Sequence, residues 1–262
     1  MSIQVKADWW KTMFDQVYLL TDQRTVCDPG LTRKEVDLVC RLLDVKPEEN
    51  ILDLCGGHGR HSLELCSRGY SDLTLLDYSQ TLLSKAQAEA EDRDLELRIV
   101  MADARSIPLP GSSFDHILIM GNSLGYSPDP SSDQAILSEC WRVLRPQGSL
   151  LVDVTDRETM LQSFCPSAWH EIDEDIVVCR KRELQGSNVA ARELVLSKQN
   201  GLIRDETYAI RLYGRSELRQ LLINAGFPEV RLHTNHTLEQ EHGDCGFMNH
   251  RFMALGRKLQ GE

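Results

Sequence analysis

The stretch Ile51-Leu52-Asp53-Leu54-Cys55-Gly56-Gly57-His58-Gly59-Arg60 decides the fold. Four residues of strand character run into a glycine turn, and a helical pattern then starts near Gly59 and stops at Gly69, a good C-terminal glycine. Strand, glycine loop and helix in that order make the first half of a βαβ unit, with the loop beyond the carboxyl end of its strand. The unit repeats downstream. Leu73-Thr74-Leu75-Leu76 ends in Asp77, and a helix begins near Ser79 with Leu82, Leu83, Ala86 and Ala90 on one face. A third run over 97–101 ends near Asp103 and enters a Pro/Gly/Ser-rich turn at 107–113. A fourth, 114–119, precedes a helix carrying Ile136, Leu137, Cys140, Trp141 and Leu144, and Pro146-Gln147-Gly148 turns into a strand over 149–154. Such alternation predicts a parallel sheet with right-handed crossovers.

The flanks read differently. Residues 7–46 read as helical: Trp9, Trp10, Met13, Phe14, Val17 and Tyr18 recur at helical spacing, and Thr32 is the expected N-cap of a second helix over 32–43. After a short helix at 156–164, alternation over 169–172, 176–184, 189–197 and 207–213 predicts added antiparallel strands. A helix at 216–225 ends at Gly226, and 230–233 and 251–255 pair as a terminal hairpin. The boundaries expected are 1–46, a helical lid; 47–155, the core; 156–214, the inserted strands, a cover for the substrate; and 215–262, completion of the core sheet.

Bulk properties narrow the chemistry. The 262 residues are 41% hydrophobic with a net charge of −11, enough for one large domain and unfavourable to a phosphate-tracking surface. No nucleic-acid partner is expected. No run of apolar residues is long enough to span a membrane, and the N-terminus lacks the apolar run of a signal peptide. Eight cysteines without a Cys-x-x-Cys pair fit buried free thiols in a reducing, cytoplasmic setting.

Three acids mark strand ends: Asp53, Asp77 and Asp103. Glycines let a ligand approach the backbone of the first loop, and an acid after the second strand is the recurrent partner of ribose hydroxyls. Asp103 suits an adenine amino group, with the Ala104 amide beside it. A dinucleotide fingerprint wants a third glycine or alanine where Ser62 stands. Asp53 would repel a pyrophosphate and attract a sulfonium, which favours S-adenosylmethionine over a nicotinamide dinucleotide.

With these residues in place, the stretch 50–155 resembles the class I S-adenosylmethionine-dependent methyltransferases. Asp53, Gly57 and Gly59 match their acid-x-Gly-x-Gly-x-Gly loop, Cys55 replaces its first glycine, and Asp77 and Asp103 match the second and third motif acids. Met120-Gly121-Asn122-Ser123-Leu124-Gly125-Tyr126 is similar to the Gly-Asn-Ser-Phe-Gly-Tyr segment of a small-molecule branch. Residues 139–148 resemble the RVLKPGG signature, and Arg211-Leu212-Tyr213 followed by a helix and Ala225-Gly226-Phe227 is a weaker match. The resemblance implies a Rossmann-like, seven-stranded, mostly parallel sheet with helices on both faces, an inserted antiparallel β region in the C-terminal half and an N-terminal helical lid. It implies S-adenosyl-L-methionine held by Asp53, Cys55, Gly56, Gly57, Gly59, Arg60, Asp77, Tyr78, Ser79, Asp103, Ala104, Met120, Gly121 and Asn122. The acceptor expected is a small molecule, methylated on nitrogen or oxygen rather than carbon, with Tyr18, Tyr126, Arg211 and Tyr213 shaping its pocket.

No base stands out; His233, His236 and Tyr18 are the candidates. Trp9 and Trp10 point different ways on a helix, so at most one faces the site. Asp115 is expected to orient the fourth strand. His233, His236, His242, Cys245 and His250 crowd the tail, but their spacing reads as a polar loop and no metal site is expected. The rival readings are RNA or protein methylation, a non-catalytic module that binds the cofactor, and a nicotinamide-dependent reductase.

Overall fold

The computed structural model describes residues 2–21, 28–237 and 250–260, with backbone alone at 235–237. Strand β1 (Ile51–Leu54) is buried along its whole length, Leu52 and Leu54 in one apolar cluster and Ile51 in the other. Burial on both faces is what a central parallel strand requires. Strands β2 (Leu73–Asp77) and β4 (Phe114–Ile119) pair with it in parallel on either side. β3 (Arg98–Met101) extends the sheet beyond β2, and β5 (Leu144–Thr155) extends it beyond β4. β11 (His250–Arg257) then runs antiparallel to β5, and β10 (Glu229–Thr237) antiparallel to β11 at the edge. The order is β10-β11-β5-β4-β1-β2-β3, seven strands as the resemblance implies. The chain leaves β1 in one direction and returns to β4 on the other side. That reversal opens a crevice at the carboxyl ends of β1 and β4.

Helices cover both faces. Val36, Leu38 and Val39 of α3 (Pro29–Leu43) and Leu65 of α4 (Arg60–Ser67) pack with Ile51, Leu118 and Met253. Leu83 and Ala86 of α5 (Gln80–Asp92) close on Leu75 of the same face. Leu137, Cys140 and Val143 of α6 (Ser131–Val143), with Leu218 and Leu222 of α8 (Arg215–Asn224), cover the other.

After α7 (Arg157–Gln162), capped by Asp156, the chain builds a second sheet from β6 (Ser167–Glu171), β7 (Ile176–Gln185), β8 (Asn188–Ser197) and β9 (Gly201–Arg211), antiparallel in chain order. This inserted sheet was expected, but its last strand begins at Gly201 instead of 207. The polar run Arg204-Asp205-Glu206 hides it, although Asp205 pairs with Leu194 and Arg204 with Val195.

The N-terminal segment departs from the expected continuous helix. α1 (Trp10–Met13) stops at Phe14, whose ψ of 73° is not helical, and α2 (Gln16–Thr21) starts afresh. The Asp15 carboxylate causes the restart by accepting from the Val17 and Tyr18 amides at 2.8 and 3.1 Å. The segment is strapped to the second sheet. Ile3 N donates to Glu183 at 2.6 Å, Thr207 Oγ1 donates to the Gln4 carbonyl at 2.9 Å, and Arg204 pairs with Asp15. Thr32 is not the cap of α3: Asp28 is, accepting from Gly30 N and Leu31 N with Pro29 at the first helical position. Asp115 orients its strand as expected, receiving the Asn50 amide at 2.9 Å and the Arg145 guanidinium at 2.5 Å.

Candidate functional site

The loop after β1 folds through three left-handed residues, Cys55 at φ 57°, Gly57 at 60° and Gly59 at 74°. Cys55 therefore adopts the conformation for which a glycine is the usual choice, at a cost of roughly 1–2 kcal/mol. Gly56 is required for space: a Cβ there would meet Asp53 Cγ and Leu75 Cδ1, both at 2.5 Å. Burial, then the nearby Asp77, pushes the Cys55 thiol well above its ordinary range, so it stays neutral.

A cavity opens beside this loop, across the carboxyl ends of β1 to β4. Asp77 stands on its wall at the end of β2. Its Oδ2 accepts from Gly57 N at 2.9 Å and its Oδ1 from Ser79 N at 2.8 Å. Burial raises its carboxyl above the ordinary value of 3.8, against the pull of those amides. Asp103 also lines the cavity, gripped by Arg105 through contacts of 2.9 Å from Nε and 2.5 Å from Nη2. The Arg105 hydrogen bonds hold its carboxyl below the ordinary range. The same guanidinium lies over the Trp10 ring, 5.2 Å from its centroid, and Trp10 meets Tyr78 edge-on at 4.9 Å.

Of the residues expected at the cofactor, Cys55, Gly56, Gly57, Arg60, Asp77, Tyr78, Ser79, Asp103, Ala104, Met120 and Gly121 line this cavity. Three do not. Asp53 is fully buried beneath the loop, accepting from Ser62 Oγ at 2.8 Å. It reaches the cavity through its field alone, adding to the upward shift of Asp77. Gly59 caps α4 against Leu75 and Ala86. Asn122 is buried and left-handed at φ 63°, its side-chain oxygen receiving Thr155 N at 2.7 Å.

The acceptor assignments divide the same way. Tyr18 and Tyr126 line the cavity. Arg211 and Tyr213 do not; both are spent on Asp133. Tyr213 Oη donates to Asp133 Oδ2 at 2.5 Å, and the Arg211 guanidinium pairs with the same oxygen and donates to the Ser127 and Pro128 carbonyls at 2.9 and 3.1 Å. Asp133 is the wall residue, and its Oδ1 takes the Gly125 amide at 3.1 Å. His233 lies on edge strand β10, away from the cavity. The side chain of His236, and all of His242 and Cys245, lie outside the described residues. No group of three metal-binding side chains occurs among the described residues.

Sequence reading missed Trp10 and Phe14, whose i, i+4 spacing also suits plain core packing. One of the two tryptophans does face the site: Trp10 lines the cavity, while Trp9 is buried and donates to the Tyr126 carbonyl at 3.1 Å. Phe14 stacks on Tyr126 at 5.4 Å and meets Tyr18 edge-on at 5.0 Å. Also missed were Arg105, Asp133, His58 and His61. Behind the loop, buried Glu35 of α3 gathers Arg60, His61 and Arg251, and Arg251 continues to Asp153 at 2.6 Å. Only the partners of these residues across the fold, which a linear reading does not supply, would have singled them out.

Residues 51–148 match the methyltransferase-domain family. A demethylmenaquinone methyltransferase of Thermus thermophilus is 35% identical over 46% of this chain and 51% of its own length. A glycine/sarcosine N-methyltransferase of Parasynechococcus marenigrum is 30% identical over 49% and 45%. The chain thus spans about half the length of these two relatives. The structure of the CcbJ methyltransferase from Streptomyces caelestis superposes with a TM-score of 0.75 at 16% identity, covering 95% of this chain and 99% of that one, a likeness of fold.

Proposed function

We propose, from the premise that residues 51–148 are a class I S-adenosylmethionine-dependent methyltransferase domain, that this protein methylates nitrogen or oxygen of a small acceptor in the cavity at the ends of β1 to β4. One observation carries the reading. The same cavity holds Asp77, whose carboxylate is bonded by backbone amides, and an aromatic wall of Phe14, Tyr18 and Tyr126.

The wall fits the donor on its chemistry. A Cβ at Gly121 would meet nothing within 4 Å, and one at Gly57 only Leu82 at 3.5 Å, so bare backbone leaves room for a ligand where side chains would fill it. When bound, S-adenosylmethionine supplies a methyl group already activated on a sulfonium. Asp77 is placed to accept from ribose hydroxyls, and Asp103 with the Ala104 amide to read adenine. Trp10, Tyr78 and Arg105 line the wall beside them. Asp53 and Asp77 give this end a negative field suited to a cation.

At the other end Phe14, Tyr18, Tyr126 and Ile136 exclude water and orient the acceptor, which is the main work left for the protein when the methyl is activated beforehand. The N-terminal strap covers this end with Phe14 and Tyr18, and the second sheet holds the strap through Arg204 and Glu183. Of the candidate bases, Tyr18 lines the cavity, His233 does not, and the side chain of His236 lies outside the described residues; no general base is assigned. Among the described residues no helix is long and apolar enough to cross a membrane.

Release of S-adenosylhomocysteine across a panel of small amines, alcohols and phenols tests the proposal. Turnover with one class, and none with bulk RNA or protein, is the expected result. Turnover with RNA that falls steeply with salt would replace it with the macromolecular reading.

A further inference from the structure

The charges around the acceptor end point to its substrate class. This step rests on the methyltransferase reading. Among the described residues, each arginine on the cavity wall ends on a carboxylate: Arg60 on Glu35 and Arg105 on Asp103. His61 is bonded to Glu35 at 2.9 Å, and no lysine among the described residues lines the wall. Arg211, behind the wall at Asp133, is consumed by that carboxylate and two carbonyls. Asp77 keeps its charge against backbone amides alone. Among the described residues, the arginines of the wall are therefore matched to the protein's own acids. An anionic acceptor would be desolvated without a partner, which is costly. The aromatic faces of Phe14, Tyr18 and Tyr126 favour the opposite sign.

We infer that the acceptor is an amine on an otherwise uncharged body, and that the cavity discriminates against carboxylate- and phosphate-bearing analogues. The serine hydroxyls of Ser127 and Ser132 beside Tyr126, 2.9 Å apart, offer hydrogen bonds to a polar substituent on that body. The amine binds as its ammonium, gives up one proton to water in the open cavity and then reacts as the free base. Its lone pair forms the N–C bond as the S–C bond breaks, the electron pair of that bond stays on sulfur, and the methylated ammonium equilibrates with water.

The test is calorimetry on the full chain saturated with S-adenosylhomocysteine, using three probes of one size: benzylamine, benzyl alcohol and benzoate. The expected order is benzylamine first, benzyl alcohol next and benzoate last, with about tenfold between first and last, as one or two cation–π contacts would give. Benzoate binding as tightly as benzylamine, or no preference among the three, overturns the inference and leaves the methyltransferase reading standing. Failure of S-adenosylhomocysteine itself to bind overturns that reading, and this inference with it.

Discussion

The end of the cavity proposed for the cofactor and the end proposed for the acceptor are built in different ways. The cofactor end is made of strand-end motifs, each complete within a few residues: Cys55 to Arg60, Asp77 to Ser79, and Asp103 to Arg105. The acceptor end is assembled from Phe14 and Tyr18, Tyr126, and Asp133, held from behind by Arg211 and Tyr213. A parallel sheet brings consecutive strand ends to one edge by its topology, so a local motif suffices there. The acceptor end depends on long-range contacts, such as Arg204 with Asp15 and Trp9 with Tyr126, that fix the strap over it.

The most disruptive way to probe the cofactor end is from behind. Glu35→Ala leaves Arg60 and His61 without their buried carboxylate and Arg251 with Asp153 as its remaining one, and a loss of about 3–5 kcal/mol of stability is expected in urea unfolding. The counterpart at the acceptor end is Asp133→Asn, which removes the charge that Arg211 and Tyr213 share. A loss of about 2–3 kcal/mol is expected, with a raised acceptor KM and an unchanged affinity for S-adenosylmethionine. An equal loss of cofactor affinity would dissolve the division between the two ends. Asp77→Ala should do the converse, weakening cofactor binding by about 1–3 kcal/mol in calorimetry while the fold persists.

Acid separates the fold from the site. Burial raises the Glu35 carboxyl, but Arg60, His61 and Arg251 outweigh it and hold it well below 4.5. A depressed folded-state value means that its stabilisation is present above the unfolded value and is lost only as pH falls through the folded one. Asp77 is shifted the other way, above 3.8, so it takes up its proton earlier on acidification and ceases to be a pure acceptor for hydroxyls. Cofactor affinity should therefore decline at a pH where circular dichroism still shows the native fold. Simultaneous loss of both would contradict the assignment of Asp77. The smallest effect belongs to Ser79→Ala. Ser79 caps α5 and donates to the Phe14 carbonyl at 2.5 Å, joining the two ends, and its loss should cost about 1 kcal/mol in thermal unfolding.

This contrast also explains what was legible in the sequence. The alternation of β1 to β5 with their helices, the hairpin of β10 and β11, and Asp77 and Asp103 on the wall follow from local pattern. Asp53 was misplaced because strand alternation turns it under the loop, where Ser62 answers it, and no motif shows that. Arg211 and Tyr213 share a strand face, but whether that face meets ligand or Asp133 is a property of packing. Phe14 was hidden by the same helical spacing that makes ordinary core, until Asp15 breaks the helix beside it.

Calorimetric titration of the wild-type protein with S-adenosylmethionine tests the account most directly. A single saturable site per chain, weakened in Asp77→Ala and unaffected in Asp133→Asn, is the predicted result. No heat with that donor, together with saturation by a nicotinamide dinucleotide, would contradict it.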